Sequence, residues 1–520
     1  MAILIANLGT SDIAIKLDGF NYYLPIFDRG EPNEDLSGLN SDELDIWEKR
    51  NNYAELLCDE LNVKYTKQES SRGIQIDFLF TEFSQNLLKA YLLDPDTWHN
   101  RIRPGRIGGV ILDAIKKFEL PEIYLFVTNQ NPQHKLDTIY LFDILNRWFK
   151  QEYNLQLTAQ KIPIKVTAKE ADELLDYYYQ FFAKSIKSDS TVLVSIKGGT
   201  PQMQTALKMQ ALASSVSRLI FIDPQFDIST SLAGKFSDCK LTSYWRYMRT
   251  QKYQIVKLLL EENHWDFNGS IQILQDWQAV LKFFISYHVI GYDDIAKSNE
   301  AISRIIKTLE LGINSFNLDI RSAQLFLQKN YQLNLSKRLA SEVNSYDEVL
   351  NLYTQCRIYW KLNQIANFLS RMSSFYEAVL EKLARNLGCY ADFRRLDNRF
   401  DKRDFVGNQI QVRNIAKEVQ DWKEILSLLK SLDFWCRQRN NLIHSAEGVS
   451  QTRMQELFNQ EIKINTVVCA PNYIVKNMAE ILKSDMKIVK NEYRHIFVGE
   501  NQEYYIYSEV KNWVIQTLDT

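Results

Sequence analysis

One short run of residues near the C-terminal end combines a cation, two amides and an imidazole: Arg439-Asn440-Asn441-Leu442-Ile443-His444. Cleavage of RNA through its own 2′-hydroxyl needs a group that moves protons near neutral pH and a cation that stabilises charge on the phosphate oxygens. Histidine suits the first task, and arginine suits the second because its planar fork pairs with two phosphate oxygens at once. The run predicts an RNA-cleaving site, although a helix that simply ends in solvated polar residues would look similar.

Two arginines compete for the role of the cation. Six residues separate Arg437 from His444, and four residues separate Arg439 from it. On a helix, Arg439 falls on the apolar face, whereas Arg437, Asn440 and His444 share a polar sector. Helical phase alone therefore favours Arg437.

Size, charge and cysteine usage limit the class of protein. The 520 residues leave length for about two to four domains, and a formal charge of −2 excludes a uniformly basic nucleic-acid coat but allows a local basic groove. The six cysteines are scattered singly, without the spacing of a zinc site. They predict reduced thiols in a cytoplasmic protein that holds no metal.

Neither a signal peptide nor a membrane span is expected. The N terminus lacks a basic segment before its first apolar run. The best apolar stretch, at residues 279–292, is interrupted by Lys282 and His288 and is too short to cross a bilayer. We therefore expect no membrane role.

Proline usage divides the chain into two regions. All prolines lie at or before Pro224 except Pro471. Because proline breaks helix interiors, a long proline-free stretch with helical apolar periodicity predicts an all-α region. The fold class is therefore predicted as α/β followed by all-α.

Short apolar runs alternate with amphipathic segments in the N-terminal region. The runs lie at residues 3–6, 76–80, 123–128, 164–167, 191–196 and 219–222. Helical segments such as 108–118 and 202–213 separate them, and buried strands separated by helices pair in parallel. This pattern predicts a Rossmann-like domain over residues 1–235.

The remaining chain is predicted to form two helical parts. We expect a helical connector over residues 236–368 and a second all-α domain over residues 369–520. That domain should contain a helix at 375–387, ended by Gly388 at its C′ position. A hairpin formed by residues 493–497 and 504–507, and a closing helix to Leu518, complete the prediction.

Three loops after predicted strands carry small, hydroxyl and amide residues. The first loop is Asn7-Leu8-Gly9-Thr10-Ser11-Asp12, the second is Thr128-Asn129-Gln130-Asn131 followed by His134, Asp137 and Thr138, and the third is Lys197-Gly198-Gly199-Thr200-Pro201-Gln202-Met203. Ligands of parallel α/β sheets bind at such loops, so we expect them to line one pocket.

The third loop suits a phosphate. Its glycines let backbone N–H groups approach an anion at the start of a helix. Lys197 precedes the glycines, so the loop is not the phosphate loop of nucleoside triphosphatases, and it is not a dinucleotide-binding loop either. An ordinary turn with a helix cap would show the same residues.

These two motifs on one chain resemble a known family. The segment from Ser195 to Met203, together with the first loop, resembles the CARF domain. The segment from Arg439 to His444 resembles the HEPN ribonuclease motif, in which four to six residues separate an arginine from a histidine. The whole chain therefore resembles the CARF-HEPN ancillary ribonucleases of type III CRISPR systems, which implies a CARF domain over 1–235 and a HEPN domain over 369–520.

The resemblance implies a function and a set of partners. A CARF homodimer would bind a cyclic oligoadenylate, and this activator would switch on metal-independent cleavage of single-stranded RNA by the HEPN domain in antiviral defence. The implied activator contacts come from the three loops: Leu8, Gly9, Thr10, Ser11, Asn129, Gln130, Lys197, Gly198, Gly199, Thr200, Pro201, Gln202 and Met203. No cofactor is implied, and family habit favours cyclic tetra-adenylate over the hexamer.

The resemblance also assigns the catalytic residues. His444 would assist proton transfer, and the family preference for a polar residue after the arginine points to Arg439-Asn440, against the helical phase. We assign Arg439 to the motif and Arg437 to an accessory phosphate contact. Slow cleavage of the activator near Thr10 and Ser11 stays open.

Two other functions stay open at this point. One is a CARF protein with a metal-dependent nuclease domain, which would need spaced carboxylates on a β-rich core that the proline-free region does not offer. The other is a non-catalytic regulator that senses the activator and binds nucleic acid, for which no basic recognition helix is evident.

Overall fold

The computed structural model describes residues 2–25, 36–70, 73–118, 122–154, 159–225, 227–329, 337–413, 416–444, 449–484, 488–489, 493 and 503–520. Within these ranges, no side chain is described at residues 51, 68–70, 73–75, 159, 329, 413, 416–421, 440 and 444.

The chain forms two compact units. One consists of Met1–Met248 with Ala279–Lys297, and the other consists of Arg249–Gln278 with Ser298–Thr520. The division into parts at residues 235 and 368 that the sequence suggests stays a prediction.

The strands are β1 (Ala2–Asn7), β2 (Ala14–Lys16), β3 (Tyr23–Pro25), β4 (Tyr65–Ser70), β5 (Gly73–Phe78), β6 (Ile102–Arg103), β7 (Glu122–Thr128), β8 (Ala159–Ile164), β9 (Thr191–Ser195), β10 (Arg218–Pro224) and β11 (Cys239–Thr242). The helices up to the end of the sheet are α1 (Ser41–Glu48), α2 (Arg50–Glu60), α3 (Phe80–Leu93), α4 (Pro95–Arg101), α5 (Gly105–Phe118), α6 (Leu141–Tyr153), α7 (Ala171–Ser185), α8 (Pro201–Ala213) and α9 (Ile228–Leu232).

The helices after the sheet are α10 (Trp245–Leu259), α11 (Phe267–Ser286), α12 (Tyr292–Phe316), α13 (Ile320–Lys329), α14 (Lys337–Asn344), α15 (Glu348–Lys361), α16 (Ile365–Asn386), α17 (Tyr390–Phe393), α18 (Arg399–Arg413), α19 (Ala416–His444), α20 (Gln451–Glu461), α21 (Ile474–Lys483) and α22 (Tyr507–Asp519). The predicted order, a Rossmann-like α/β region followed by helices, is confirmed.

The main sheet has the strand order β11-β10-β9-β1-β7-β8. Every neighbouring pair in it is parallel except β10 with β11. The central strand β1 is a continuous apolar run because both of its faces are covered: Ile3, Ile5, Val192 and Val194 belong to one buried core with residues of α7 and α8, and α5 packs on the sheet as well.

Two strand predictions need correction, and one strand of the main sheet was not predicted. The run at 76–80 does not join the main sheet: β5 pairs with β4 in a separate antiparallel hairpin, as its alternation of apolar and polar residues allows. The strand predicted at 164–167 is β8, which ends at Ile164. The edge strand β11, which lies beyond residue 235, was missed because its residues, Cys-Lys-Leu-Thr, lack an apolar run.

The helix predicted at 375–387 is longer than expected and starts at Ile365, so the predicted boundary at residue 369 falls inside α16. Its end is as predicted. Gly388 has a φ of +69°, and the N–H groups of Gly388 and Cys389 donate to the carbonyl oxygens of Arg385 and Ala384, each at 3.0 Å. Glycine adopts this left-handed conformation at the end of a helix without a steric penalty.

The predicted C-terminal hairpin is not supported by the described residues. Its turn and most of its first strand, residues 494–502, lie outside them. Residues 505–506 form a turn and Tyr507 begins α22, where the second strand was expected. The closing helix itself is present.

Candidate ligand-binding and catalytic sites

The three predicted loops leave the same edge of the sheet. Strand β1 pairs in parallel with β7 on one side and with β9 on the other. The loops that follow these three strands are therefore neighbours, as the carboxyl ends of adjacent parallel strands must be.

The first and third loops pack against each other at glycines. Gly198 has a φ of +116°, and a Cβ built there would lie 2.3 Å from the carbonyl oxygen of Asn7. A Cβ on Gly9 would lie 3.1 Å from the backbone nitrogen of Gly199. Because glycine has no side chain, the two backbones can meet here.

Thr200 fixes the start of α8. Its Oγ1 accepts a hydrogen bond from the N–H of Met203 at 3.2 Å and donates one to the carbonyl oxygen of Ala168 at 2.5 Å. Pro201 is the first residue of the helix. A backbone N–H at this position would have no hydrogen-bond partner within the helix, so proline, which lacks one, is well tolerated. The helix start that results carries a partial positive charge suited to an anion.

Not every predicted ligand residue offers its side chain. Leu8 and Met203 are fully buried, so only their backbone atoms are available to a ligand. Lys197 is exposed and its Nζ lies 3.9 Å from a carboxylate oxygen of Asp223. The half-exposed members of the predicted set are Thr10, Ser11, Asn129, Gln130, Gly199, Thr200 and Gln202.

A buried ion pair that the sequence did not reveal lies under the first loop. Asp12 is 1% exposed and accepts hydrogen bonds from the N–H of Gly9 at 2.6 Å and from Nε of Arg106 at 2.8 Å. Nη2 of Arg106 also lies 3.5 Å from the hydroxyl of Ser11. Burial raises the pKa of Asp12, and the Arg106 charge opposes that rise. The pair holds the loop from Gly9 to Asp12 in place.

The second loop is organised by Asp137, whose side chain is fully buried. Its carboxylate accepts from the N–H of Gln130 at 3.0 Å, from Nε2 of Gln130 at 2.9 Å and from the N–H of His134 at 2.9 Å. Oε1 of Gln130 accepts from the N–H of Ala168 at 2.9 Å. The Gln130 side chain therefore shapes the loop, which leaves Asn129 as the amide better placed to meet a ligand.

Two buried polar atoms at the ends of β1 and β9 have no hydrogen-bond partner among the described residues. They are Nδ2 of Asn7 and Oγ of Ser195. Oδ1 of Asn7 accepts from the hydroxyl of Tyr178 at 2.6 Å, which fixes the amide. Unsatisfied polar atoms of this kind are costly, and both lie where the first and third loops begin.

A small, mainly apolar groove of about 230 Å³ opens beside the start of α8. It lies between α7 and α8, and Pro201 and Gln202 of the predicted set line it together with Leu175 and Met209. Its volume is a little below the range of pockets that hold a drug-sized ligand, which begins at about 300 Å³.

The predicted catalytic segment forms the last two turns of α19 in the helical unit. Arg437 is exposed and its guanidinium stacks 4.6 Å from the ring centre of Phe400. Arg439 is half-buried, and its Nε is buried without a hydrogen-bond partner among the described residues. The side chains of Asn440 and His444 lie outside the described set, although the backbone of α19 extends to His444.

A cluster of charged residues lies next to this segment, and it includes two arginines from residues 392–404, a stretch of mixed charge that is typical of solvated surface. Arg403 of α18 forms an ion pair with the buried Asp433 of α19. The hydroxyl of Tyr376 on α16 donates to Asp433 at 2.6 Å. Arg399 contacts Ser373 and lies 3.5 Å from the carboxylate of Glu377. The mixed charge of residues 392–404 gave no sign of these partners, because they are far away in sequence.

Two features are absent from the described part of the chain. No group of three or more potential metal ligands is found among its residues. None of the helices described is long and apolar enough to cross a membrane.

Comparisons with known proteins find similar solved structures, and one of them covers most of this chain. No protein-family model matches the chain, and no curated protein matches it. The solved structure is that of Enterococcus italicus Csm6 bound to cyclic hexa-2′-fluoro-hexa-dAMP. The two chains are 13% identical, the likeness covers 80% of this chain and 96% of that one, and the TM-score is 0.48.

Proposed function

We propose that this chain is a CARF-HEPN ribonuclease: a cyclic oligoadenylate binds the N-terminal α/β unit and activates cleavage of single-stranded RNA by the helical unit. The observation that carries the proposal is the meeting of the Gly9 and Gly198 loops at one sheet edge, on a chain whose helix α19 ends in the Arg439-to-His444 motif. The active form would be a homodimer, because a two-fold axis matches a ring-shaped ligand.

The proposed activator site uses backbone more than side chains. Phosphates would lie against the backbone from Gly198 to Gln202 at the start of α8, where the helix dipole favours negative charge. The rim would come from Thr10, Ser11 and Asn129, which are half-exposed. We favour cyclic tetra-adenylate, and no cofactor is required.

In the proposed cleavage step, His444 moves the proton at the 2′-hydroxyl or at the leaving 5′-oxygen, and Arg439 stabilises the charge that develops on the phosphate. The Arg439 guanidinium is half-buried, and its Nε has no hydrogen-bond partner among the described residues, which supports this role because a phosphate oxygen could accept from it. Arg437 would hold a neighbouring phosphate, since it is exposed and its position is fixed by stacking on Phe400. The product would end in a 2′,3′-cyclic phosphate.

The decisive experiment is an RNA cleavage assay with each cyclic oligoadenylate, run on the wild type and on His444→Ala, Arg439→Ala and Arg437→Ala. We expect activation by one ring size, loss of cleavage in His444→Ala and Arg439→Ala, and weaker RNA binding in Arg437→Ala. Absence of activation by every ring would defeat the proposal. Loss of cleavage in Arg437→Ala but not in Arg439→Ala would reverse the two assignments.

Three further observations test the alternatives that the sequence leaves open. Inhibition by EDTA would favour a metal-dependent nuclease over a HEPN site. Incubation of the protein with the activating ring, followed by a search for its linear product, tests whether the activator is cleaved near Thr10 and Ser11. RNA binding without cleavage in every condition would favour a non-catalytic regulator.

A further inference from the structure

Helices α16, α18 and α19 meet around a single buried carboxylate. All three pairs of these helices are in contact, and Asp433, which is 7% exposed, lies among them. It accepts the Tyr376 hydroxyl from α16 and pairs with the Arg403 guanidinium from α18. One carboxylate therefore fixes two helices against α19.

Helices α18 and α19 also meet one turn further along. Arg437 follows Asp433 by four residues on α19, and Phe400 precedes Arg403 by three residues on α18, so each pair shares a helix face. Phe400 stacks against Arg437 at 4.6 Å. The ion pair and the stack are therefore two successive contacts between α18 and the end of α19, and the first fixes the register of the second.

Stability alone does not explain an ion pair at this position. Removing charges from water costs free energy, and apolar residues of similar size often pack as well or better. In some systems a hydrogen-bonded buried pair instead fixes a single register between two packed helices. The residues held in register here are the last two turns of α19, which contain the proposed catalytic motif.

We infer that Tyr376, Asp433 and Arg403 form a positioning cluster that sets the catalytic end of α19 against α18, so that Arg437 and Phe400 are aligned before RNA binds. The inference rests on the proposed function. None of the three residues is assigned contact with RNA: they act by fixing the last two turns of α19, which carry Arg439 and His444.

The test replaces the whole cluster by apolar residues, in the triple variant Tyr376→Phe, Asp433→Leu and Arg403→Met. This change leaves no buried charge without a partner, so the protein should fold with a melting temperature near that of the wild type. Catalysis should still suffer. With saturating activator we expect kcat to fall by about tenfold or more while KM for RNA changes by less than about threefold, the pattern of a lost transition-state contact.

A second readout does not depend on cleavage. Cys436 lies between the two contacts on α19, is 4% exposed, and its thiol interacts with Arg399 of α18. If the cluster holds α18 in place, the triple variant should open locally, and Cys436 should react with a thiol reagent about tenfold faster. The fully buried Cys356 serves as an internal reference. Tyr253→Phe is the matched control, because it removes a buried phenol hydroxyl from α10 in the same unit.

The outcomes separate the two proposals. A triple variant with wild-type kcat and wild-type labelling of Cys436 overturns the positioning role. A wild type that cleaves no RNA with any ring overturns the proposed function. In that case the labelling experiment still tests the positioning cluster. Faster reaction of Cys436 in the triple variant supports the cluster, and an unchanged rate contradicts it. A tenfold fall of kcat in Tyr253→Phe would also count against the inference, because the effect would not be specific to the cluster.

Discussion

Substitution of Gly198 by alanine should damage the N-terminal unit in two separable ways. The residue has a φ of +116°, and the added Cβ would lie 2.3 Å from the carbonyl oxygen of Asn7. A positive φ costs an L-residue about 1–2 kcal/mol. Forcing a methyl group into a closed contact costs about 1–3 kcal/mol more. We therefore expect Gly198→Ala to lower the free energy of unfolding by about 2–5 kcal/mol.

Gly19 provides the matched control for the backbone contribution. It has a φ of +77°, but a Cβ there would meet no atom within 4 Å. Gly19→Ala should therefore cost only the conformational part, about 1–2 kcal/mol. For a unit of this size, each kcal/mol shifts the melting temperature by about 2–4 °C.

Calorimetry of the two variants gives the stability result, and titration with cyclic tetra-adenylate gives the functional one. We expect Gly198→Ala to lose at least about twice as much stability as Gly19→Ala. Its activator affinity should also fall by more than about tenfold, since the shifted backbone no longer faces the phosphates. Equal melting temperatures for the two variants, or unchanged affinity in Gly198→Ala, would refute the close contact between the loops.

Three further changes probe other parts of the molecule. Asp137→Asn should cost about 1–3 kcal/mol in denaturant unfolding, because an amide N–H would replace an oxygen that accepts a hydrogen bond; an unchanged midpoint contradicts this. Tyr507→Phe should cost about 1–2 kcal/mol, since its buried hydroxyl donates to Asn351 at 2.6 Å; thermal unfolding at the wild-type temperature would argue against it. Burial raises the pKa of the Cys469 thiol from 9.0 to about 12, so the thiol stays protonated in the folded protein at pH values where the unfolded chain has lost this proton. The free energy of unfolding should therefore fall as pH rises above 9. Native Cys469 should therefore alkylate far more slowly at pH 8.5 than the unfolded chain, and equal rates would contradict the burial.

The sequence predicts the elements that local patterns determine. Strands β1 and β9 are continuous apolar runs followed by small residues, so both the strands and the loops after them could be anticipated. Gly388 ends α16 because a left-handed residue is needed there, and this signal is also local. The α/β region followed by helices is therefore readable from residue patterns alone.

Contacts between distant residues could not be predicted in the same way. Asp12 and Arg106 meet across 94 positions, and no local pattern marks either as the partner of the other. Gln130 was predicted to face a ligand, yet its side-chain amide donates a hydrogen bond to the carboxylate of Asp137. Asp137 is only seven positions away from Gln130. An aspartate that follows a loop amide so closely was the available sign that the amide would be held within the loop.

The Arg403 and Asp433 pair shows a further limit of sequence patterns. Residues 392–404 alternate in charge, which usually indicates solvated surface. Tertiary packing of α18 against α19 instead leaves Arg403 half-buried against the buried carboxylate of Asp433. Charge pattern alone does not distinguish these outcomes, because both place polar residues on a helix.

The contact between Gly198 and the end of β1 also constrains how this protein can diverge. A Cβ at Gly198 would be blocked by the backbone carbonyl oxygen of Asn7 at 2.3 Å, and a Cβ at Gly9 would crowd the backbone nitrogen of Gly199 at 3.1 Å and Nη2 of Arg106 at 3.3 Å. Because the nearest atom at each position belongs to the backbone, a side-chain substitution nearby cannot by itself make room. Change in either loop requires the other to shift its path. Among relatives of this chain, the residues around positions 7–9 and 198–199 should therefore be replaced together or kept together, and lengths of the two loops should change in concert.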